Sequence, residues 1–349
     1  MSQHKYDRHY CAIITPFQAD SLDIDYDAFR KHIRYYTQDE GFVRHKGSFI
    51  VNPEAAEMFY FSKEERQNMI KIMLEEKNED MPIFAGVFGV TVDDAIECAL
   101  EAKEMGCDGL FIFPPAGTVE VTTGIDNVKC PETWRDWVKM IDDEAGMPII
   151  LHPAAPPTME WGTSLPIETV KLMVESIPNI VGYKMIYGSE SAHFRIARYF
   201  RSVEDTHHVG ILNWSNYALA TCVMCDLVDG TVQGAWNWLK EPLLKFFDAY
   251  EAGNLQVASE TIKNQISPLW EYIYQGGTRI HIRYKIAVWL RGFISHPFMR
   301  PPMPPPRKEE VETLFNIINN AGLSCIDRKT IDAVMPKQDM ILATGLHRK

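Results

Sequence analysis

One lysine stands inside an apolar run near the middle of the chain. Lys184 lies in N-I-V-G-Y-K-M-I-Y-G, residues 179–188, whose other side chains are typical of a buried strand. Burying an unpaired ammonium group costs several kcal/mol, so such a lysine is paired, neutral or chemically active. A desolvated lysine favours its neutral amine, which attacks carbonyl groups and forms a Schiff base. The alternatives are pairing with a carboxylate, or a side chain that extends from a strand end toward water.

The elements that must position Lys184 are short apolar runs, each about as long as a buried strand. Most of them lack polar alternation, which is typical of parallel strands covered on both faces. The eight runs are residues 10–17, 47–52, 82–88, 109–115, 148–153, 180–186, 208–214 and 230–236. Segments with helical periodicity separate them, and Ser62 and Thr91 are placed as N-caps of two of these helices. The alternation predicts an α/β fold, a (β/α)8 TIM barrel.

A doubly wound open sheet is the structural alternative, but no Gly-x-Gly-x-x-Gly follows the first strand and no Walker loop is present. We expect the barrel over residues 1–240 and a C-terminal helical extension over 241–323. An irregular tail is expected over 324–349. The prolines of 300–306 are interpreted as a stiff connection in the extension.

Composition narrows the class of protein. The net charge of −12 argues against nucleic acid or an anionic membrane as a partner, and no apolar run approaches the length of a transmembrane helix. The polar N-terminus has no signal-peptide core, and the seven scattered cysteines indicate reduced thiols, so we expect a cytoplasmic protein. Cys222 and Cys225 are interpreted as core-facing residues of one helix. The positions of His207, His208 and His281 form no ligand pattern, so we predict no metal site and no cofactor.

The active site of a (β/α)8 barrel lies at the C-terminal ends of its strands. This rule selects a short set of side chains in addition to Lys184: Glu54, Ala55, His152, Asn213, Trp214, Gln233 and Trp236. Aromatic residues are frequent here, including Trp161, Tyr187 and Trp238. They predict either a surface that stacks on a bulky or cyclic substrate, or packing between loops and the C-terminal helices.

Several motifs in order resemble the dihydrodipicolinate synthase / N-acetylneuraminate lyase superfamily of Schiff-base class I aldolases. The resemblance runs from about Tyr10 to Leu323 and rests on A-I-I-T-P-F (12–17), E-M-F-Y-F-S-K-E-E (57–65), I-V-G-Y-K-M (180–185) and R-P-P-M-P-P (300–305). It implies an eight-stranded barrel with a C-terminal helical extension, a homotetramer or homodimer, and a small-molecule carbonyl substrate. It also implies that Lys184 is the Schiff-base lysine.

The departures from this pattern concern the groups around the lysine. Where the family has a Gly-Thr-Thr-Gly-Glu type loop that binds the substrate carboxylate, this chain has N-P-E-A-A-E, residues 52–57. Glu54 and Ala55 replace the hydroxyls, and Pro53 has no N–H to donate. The family tyrosine that shuttles protons falls on His152, and imidazole can do the same work or merely hydrogen-bond. The second family tyrosine falls on 116–117, Ala-Gly, and is lost.

The leading hypothesis is a Schiff-base lyase, an aldolase, hydratase-aldolase or dehydratase that acts on a 2-oxo acid or related carbonyl compound. Lys184 forms the imine, and His152, with Glu54, moves protons. The family's synthase branch has an arginine after strand five, which is absent from A-A-P-P-T (154–158), so the lysine-pathway synthase itself is disfavoured. Two alternatives remain open: a barrel that binds a metabolite without catalysis, and a metal-dependent lyase in which Lys184 acts only electrostatically.

Overall fold

A computed structural model describes residues 4–115, 126–155 and 158–343 of the chain. Eight parallel strands pair in sequence order and close into a barrel, which confirms the (β/α)8 prediction. The strands are β1 His9–Ala12, β2 Gly47–Val51, β3 Ile83–Val87, β4 Gly109–Ile112, β5 Ile149–Leu151, β6 Ile180–Met185, β7 Gly210–Asn213 and β8 Gly230–Gln233. Each lies within its predicted run or starts one residue before it, and all are shorter than predicted, because the ends of several runs continue into loops.

The helices follow the strands in alternation and continue after the eighth. Those described are α1 Tyr26–Thr37, α2 Glu40–Arg44, α3 Lys63–Glu76, α4 Val92–Met105, α5 Glu132–Ala145, α6 Ile167–Ser176, α7 Glu190–Val203, α8 Asn216–Met224, α9 Trp236–Glu251, α10 Leu255–Thr261, α11 Ser267–Tyr274, α12 Ile280–Leu290, α13 Lys308–Asn320 and α14 Arg328–Ala343. A π-helical turn, Ile262–Ile266, joins α10 to α11. None of these helices is long and apolar enough to cross a bilayer.

Local sequence signals explain where the helices begin and end. The Thr91 hydroxyl accepts a hydrogen bond from Asp94 N at 3.1 Å, and the Asp94 carboxylate accepts one from Thr91 N at 3.0 Å. This capping box stabilises the start of α4 by about 1 kcal/mol. Gly106 ends α4 in the left-handed conformation, φ 91°, where a side chain would be strained. The predicted N-cap at Ser62 is also present, because Glu65 N donates to its hydroxyl at 3.2 Å.

The strand register determines which side chains face the barrel interior. Phe111 pairs with Ile150, Ile150 with Gly182, and Lys184 with Leu212, so all of these positions share one face. Tyr183, on the opposite face, packs its ring 5.3 Å from that of Phe200 in α7. The face that carries Lys184 is therefore the interior.

The interior is filled by large side chains, and one glycine makes room for them. A Cβ at Gly109 would lie 2.3 Å from the Phe84 ring and 2.6 Å from Pro148 O. Phe84 and Phe111 are both fully buried. The barrel interior at these positions is therefore a packed core. Open space for chemistry is expected only beyond it, at the C-terminal ends of the strands.

The chain divides into two compact units that are interleaved in sequence. The first is Met1–Cys11, Lys46–Glu54 and Arg66–Gln233, and it contains the barrel strands apart from Ala12. The second is Ala12–His45, Ala55–Glu65 and Gly234–Lys349, and it contains α1, α2 and α9 to α14. The predicted helical extension corresponds to α10 to α13, while the predicted domain boundaries at 240 and 323 stay predictions.

The irregular tail that we expect after residue 323 is wrong for most of its length, because residues 328–343 form α14. Asp327 begins the helix by accepting hydrogen bonds from the backbone N and the hydroxyl of Thr330, at 2.8 and 2.6 Å. Arg328 pairs with Glu312 of α13 at 2.5 Å, and Ile331 is buried. In the sequence, one capping residue and one buried apolar residue were too weak a signal to distinguish this helix from a loop.

Candidate active site

Three of the predicted site residues meet at the C-terminal ends of β2, β5 and β6. Glu54 begins a short 3-10 helix after β2, His152 follows the last residue of β5, and Lys184 is the penultimate residue of β6. Asn52 turns the chain out of β2 with a left-handed backbone, φ 53°, which asparagine tolerates better than most residues. Its amide donates to Arg66 O at 3.1 Å, which fixes the turn that precedes Glu54.

One carboxylate oxygen links the three side chains. Lys184 Nζ and His152 Nε2 each lie 2.8 Å from Oε1 of Glu54. The side chain of Lys184 is 4% exposed and that of Glu54 is 18% exposed. Oε1 accepts from both groups, so the contacts fit a His152 with its proton on Nε2 and are compatible with an ionised Glu54.

Burial controls the protonation of the two basic groups. Desolvation lowers the pKa of Lys184 below the ordinary lysine value, and Glu54 opposes this shift only in part. Desolvation, followed by the charge of Lys184, also lowers the pKa of His152, although Glu54 acts in the other direction. The amine of Lys184 is therefore easier to deprotonate than that of a surface lysine, and His152 is neutral at pH 7.

Two phenylalanines line the same site and were missed by the sequence reasoning. The Phe111 ring centroid lies 5.6 Å from Lys184 Nζ and 5.4 Å from the His152 ring. The Phe113 ring lies 5.3 Å from that of His152. The signal was available in G-L-F-I-F, because residues 111 and 113 alternate with the outward-facing Ile112. They give Lys184 the apolar surroundings that favour its neutral form.

The register places two other candidates away from Lys184. Met185 pairs with Asn213, which pairs with Thr231, so Asn213 and Gln233 lie on the helix-facing side of the sheet. Asn213 indeed lies beside Cys222 of α8, where it partly opposes the rise that burial causes in the pKa of that thiol. Both amides are fully buried. Their substrate-binding roles stay predictions, which this orientation disfavours.

The remaining candidates are Trp214, Ala55 and Trp236. Trp214 follows β7 and is half-buried. Ala55 is buried in the 3-10 helix that Glu54 begins. Trp236 is fully buried, its carbonyl accepts from the Tyr36 hydroxyl at 3.0 Å, and its ring packs against Phe42. Packing explains Trp236 without a ligand, whereas contact with a substrate stays a prediction for all three residues.

Glu57, the glutamate that the resemblance retains, has a structural environment in the second unit. Its Oε1 lies 2.5 Å from Lys285 Nζ, and its Oε2 accepts from Arg300 N at 3.0 Å. Glu57 has a left-handed backbone, φ 65°, and both it and Lys285 are 2% exposed. Arg300 in turn forms an ion pair with Glu65 at 2.7 Å. These contacts tie the loop after β2 to α12 and to the proline-rich connection.

Groups of potential metal ligands in the described residues lie away from Lys184. They are His4, Glu204 and His208; Asp7, His208 and Asp229; and His45, Asp248 and Glu251. None contains Glu54 or His152. His208, which we exclude as a ligand from its sequence position, hydrogen-bonds Asp7 at 2.9 Å. An ion pair between imidazolium and carboxylate accounts for this contact, because Asp7 raises the pKa of His208.

The two cysteines of the C-x-x-C motif have different environments. Cys222 is buried, with Sγ 3.2 Å from His193 Nε2, whereas Cys225 is exposed, so the prediction of two core-facing cysteines is wrong for Cys225. Burial raises the pKa of Cys222 to about 11 and lowers that of His193 to about 4, which leaves a neutral thiol beside a neutral imidazole. The lost second tyrosine, at residues 116–117, lies outside the described residues.

Comparison with known proteins finds similar sequences that cover most of the chain. The model of the "Dihydrodipicolinate synthetase family" matches residues 5–321. A 4-hydroxy-tetrahydrodipicolinate synthase of Desulforamulus reducens is 23% identical over 324 residues, covering 93% of this chain and 100% of that protein. An uncharacterised DapA-like lyase of Thermococcus kodakarensis is 26% identical over 311 residues, covering 86% and 94%.

Solved structures share the fold at low identity. Dihydrodipicolinate synthase from Thermotoga maritima has a TM-score of 0.76 at 19% identity, over 91% of this chain and 99% of that one. YagE, a prophage protein of Escherichia coli K12 solved in complex with pyruvate, has a TM-score of 0.75 at 17% identity, over 91% and 99%.

Proposed function

We propose, from the premise that this chain belongs to the dihydrodipicolinate synthetase family, that it is a lyase that forms a Schiff base through Lys184. Members of the family are lyases of the class I aldolase type. The substrate class proposed is a 2-oxo acid or a related carbonyl compound. The observation that carries the proposal is a buried lysine at the C-terminal end of β6, with a lowered pKa and a carboxylate 2.8 Å away.

The roles of the three side chains follow from their contacts. Lys184 attacks the substrate carbonyl as a neutral amine and forms a carbinolamine. Loss of water from that carbinolamine needs one proton delivered to the leaving hydroxyl. Glu54 Oε1 contacts both nitrogens, so it can take a proton from Lys184 and exchange one with His152. The resulting iminium withdraws electrons from the adjacent bond, which is then cleaved or formed.

The relatives support the class of reaction more than its substrate. One relative is named a 4-hydroxy-tetrahydrodipicolinate synthase, and the E. coli neighbour was solved with pyruvate. We propose that this chain is a different lyase. Glu54 replaces a hydroxyl in the loop that binds carboxylate in the family, and Ala154 and Ala155 begin the segment where the synthase branch has its arginine.

Covalent trapping tests the proposal. The protein is incubated with a set of carbonyl compounds and borohydride, and the intact mass and the modified peptide are measured. We expect an adduct on the peptide that contains Lys184. Lys240 and Lys285, which are 3% and 2% exposed, are internal controls for burial without the catalytic position. Modification of these lysines at equal rates, or an adduct that persists in Lys184→Met, would contradict the proposal.

One observation favours a second candidate, a metabolite-binding barrel without catalysis. Lys184 is held by Glu54, and a permanently paired ammonium would attack no carbonyl. In that case calorimetry detects reversible binding of a small molecule, and borohydride traps nothing. The lowered pKa of Lys184 is the reason to prefer catalysis, because it supports an ammonium that loses its proton more easily than a surface lysine does.

A further inference from the structure

The contact between Glu54 and Lys184 bears on which carbonyl compounds can react. We propose that Glu54 selects substrates whose reacting carbonyl carbon carries no charged carboxylate, so that neutral ketones, aldehydes and esters of 2-oxo acids are preferred to 2-oxo acids. This inference rests on the proposed function and narrows its substrate class. It concerns the negative charge next to the imine. From the family resemblance alone, this charge would belong to the carboxylate of a bound substrate, whereas we assign it to Glu54.

Glu54 lies beside the nitrogen atom that reacts. Its Oε1 lies 2.8 Å from Nζ, the atom that becomes the imine nitrogen. The carboxylate of a bound 2-oxo acid is joined to the imine carbon, so its oxygens lie within about three bonds of Nζ. Two carboxylates about 4 Å apart repel strongly enough to change an equilibrium by roughly 10²- to 10³-fold at the dielectric of a partly buried site.

Formation of the iminium leaves the charge of the reacting groups unchanged. An ammonium and a carbonyl give an iminium and water, with the carbonyl oxygen leaving in the water and two of the three ammonium hydrogens with it. One positive charge is present before and after. Glu54 lies 2.8 Å from Nζ in its ion pair with Lys184, so it is placed to balance that charge before and after the reaction. A substrate carboxylate adds a second negative charge beside that of Glu54.

The groups that line the site near Glu54 are poorly suited to bind a carboxylate. Pro53, the preceding residue, has no N–H with which to bind a carboxylate. Phe111 and Phe113 present rings toward His152, and desolvation keeps His152 neutral. These groups favour an uncharged substituent on the carbonyl carbon over a charged one.

Pyruvate and methyl pyruvate form a matched pair of probes, because they differ in the charge of the carboxyl group. Borohydride trapping at Lys184 is measured for both over a range of concentrations, and the ratio is divided by the same ratio for a simple amine, N-α-acetyl-lysine. This division removes the intrinsic reactivity of each carbonyl. We expect the protein to prefer methyl pyruvate by a corrected factor of about 10² or more.

The variant Glu54→Gln removes the charge and keeps the shape. It is expected to shift the corrected ratio toward pyruvate by about 10²-fold, whereas Glu312→Gln, a control on an exposed glutamate of α13, leaves the ratio unchanged. If Glu54→Gln forms no adduct, the wild-type ratio decides alone. A wild-type ratio equal to that of the simple amine, or one in favour of pyruvate, would overturn the inference while leaving the lyase intact. No adduct with either probe in the wild type would overturn the proposed function as well.

Discussion

The buried pair of Lys285 and Glu57 offers the sharpest test of what stabilises the second unit. Substituting Lys285→Met keeps an unbranched side chain of similar length, so little volume is lost, but it leaves Glu57 without the ammonium at 2.5 Å. Both side chains are 2% exposed. Desolvation raises the pKa of Glu57 and lowers that of Lys285, so burial works against both charges, and their contact with each other is the main interaction that offsets it.

The expected loss follows from these numbers. Removing one partner of a fully buried ion pair destabilises a protein by about 3–5 kcal/mol. Glu57→Gln removes the other charge and is expected to cost a similar amount, because Lys285 would then be buried against the Phe17 ring, 3.8 Å away, with no carboxylate. The double variant should lose about 2–3 kcal/mol less than the sum of the two single losses, and this difference is the coupling energy of the pair.

The measurement is the free energy of unfolding from urea denaturation of the four proteins. Lys240→Met is the matched control: Lys240 is also buried, but its partner Asp39 keeps 29% of its side chain exposed, so water can solvate the carboxylate that remains. Its loss should be clearly smaller. Additive effects of Lys285→Met and Glu57→Gln would refute the reasoning, because they would mean that the two charges do not stabilise each other.

Three further predictions concern single residues. His152→Phe should slow turnover at least tenfold while borohydride still traps the adduct in the mass spectrum, and unchanged turnover would exclude a role in proton transfer. The pKa of His193 is lowered from 6.5 to about 4, so the unfolded chain binds the proton first, and the protein should lose up to about 3 kcal/mol of stability as pH falls from 6.5 to 4. His193→Gln should make the melting temperature depend less on pH. Parallel plots of melting temperature against pH for the two proteins would contradict this. Gly234→Ala should lower the yield of folded protein and the melting temperature, because a Cβ there would lie 2.0 Å from the Tyr284 ring, and an unaltered melting temperature would show that the ring can move.

The barrel was predictable from sequence because its strands are buried on both faces. Each is a short apolar run bounded by a turn or a cap, such as Thr91 before α4 and Gly106 after it. Single-sequence patterns record this kind of local information well. The last helix, α14, was not predictable in the same way, because its formation depends on Asp327 as a cap and on packing of Ile331 rather than on a strong repeat.

The site was only partly predictable. Lys184 stood out because a charge in an apolar run is costly. Its contact with Glu54 joins residues 130 positions apart and depends on the left-handed turn at Asn52, which no local pattern specifies. The orientation of Asn213 depends on the register of β6 with β7, in which Met185 pairs with Asn213, and no local pattern specifies that register.

The ion pair between Lys184 and Glu54 also has a consequence for the cost of reaching the intermediate. In the proposed reaction, the ion pair carries the same charges as the iminium form: one positive nitrogen and one negative oxygen, 2.8 Å apart. Groups that stabilise the ion pair therefore also stabilise the charges of the intermediate. Little reorganisation is required when the covalent bond forms, and preorganisation of this kind is a large part of enzymatic rate enhancement.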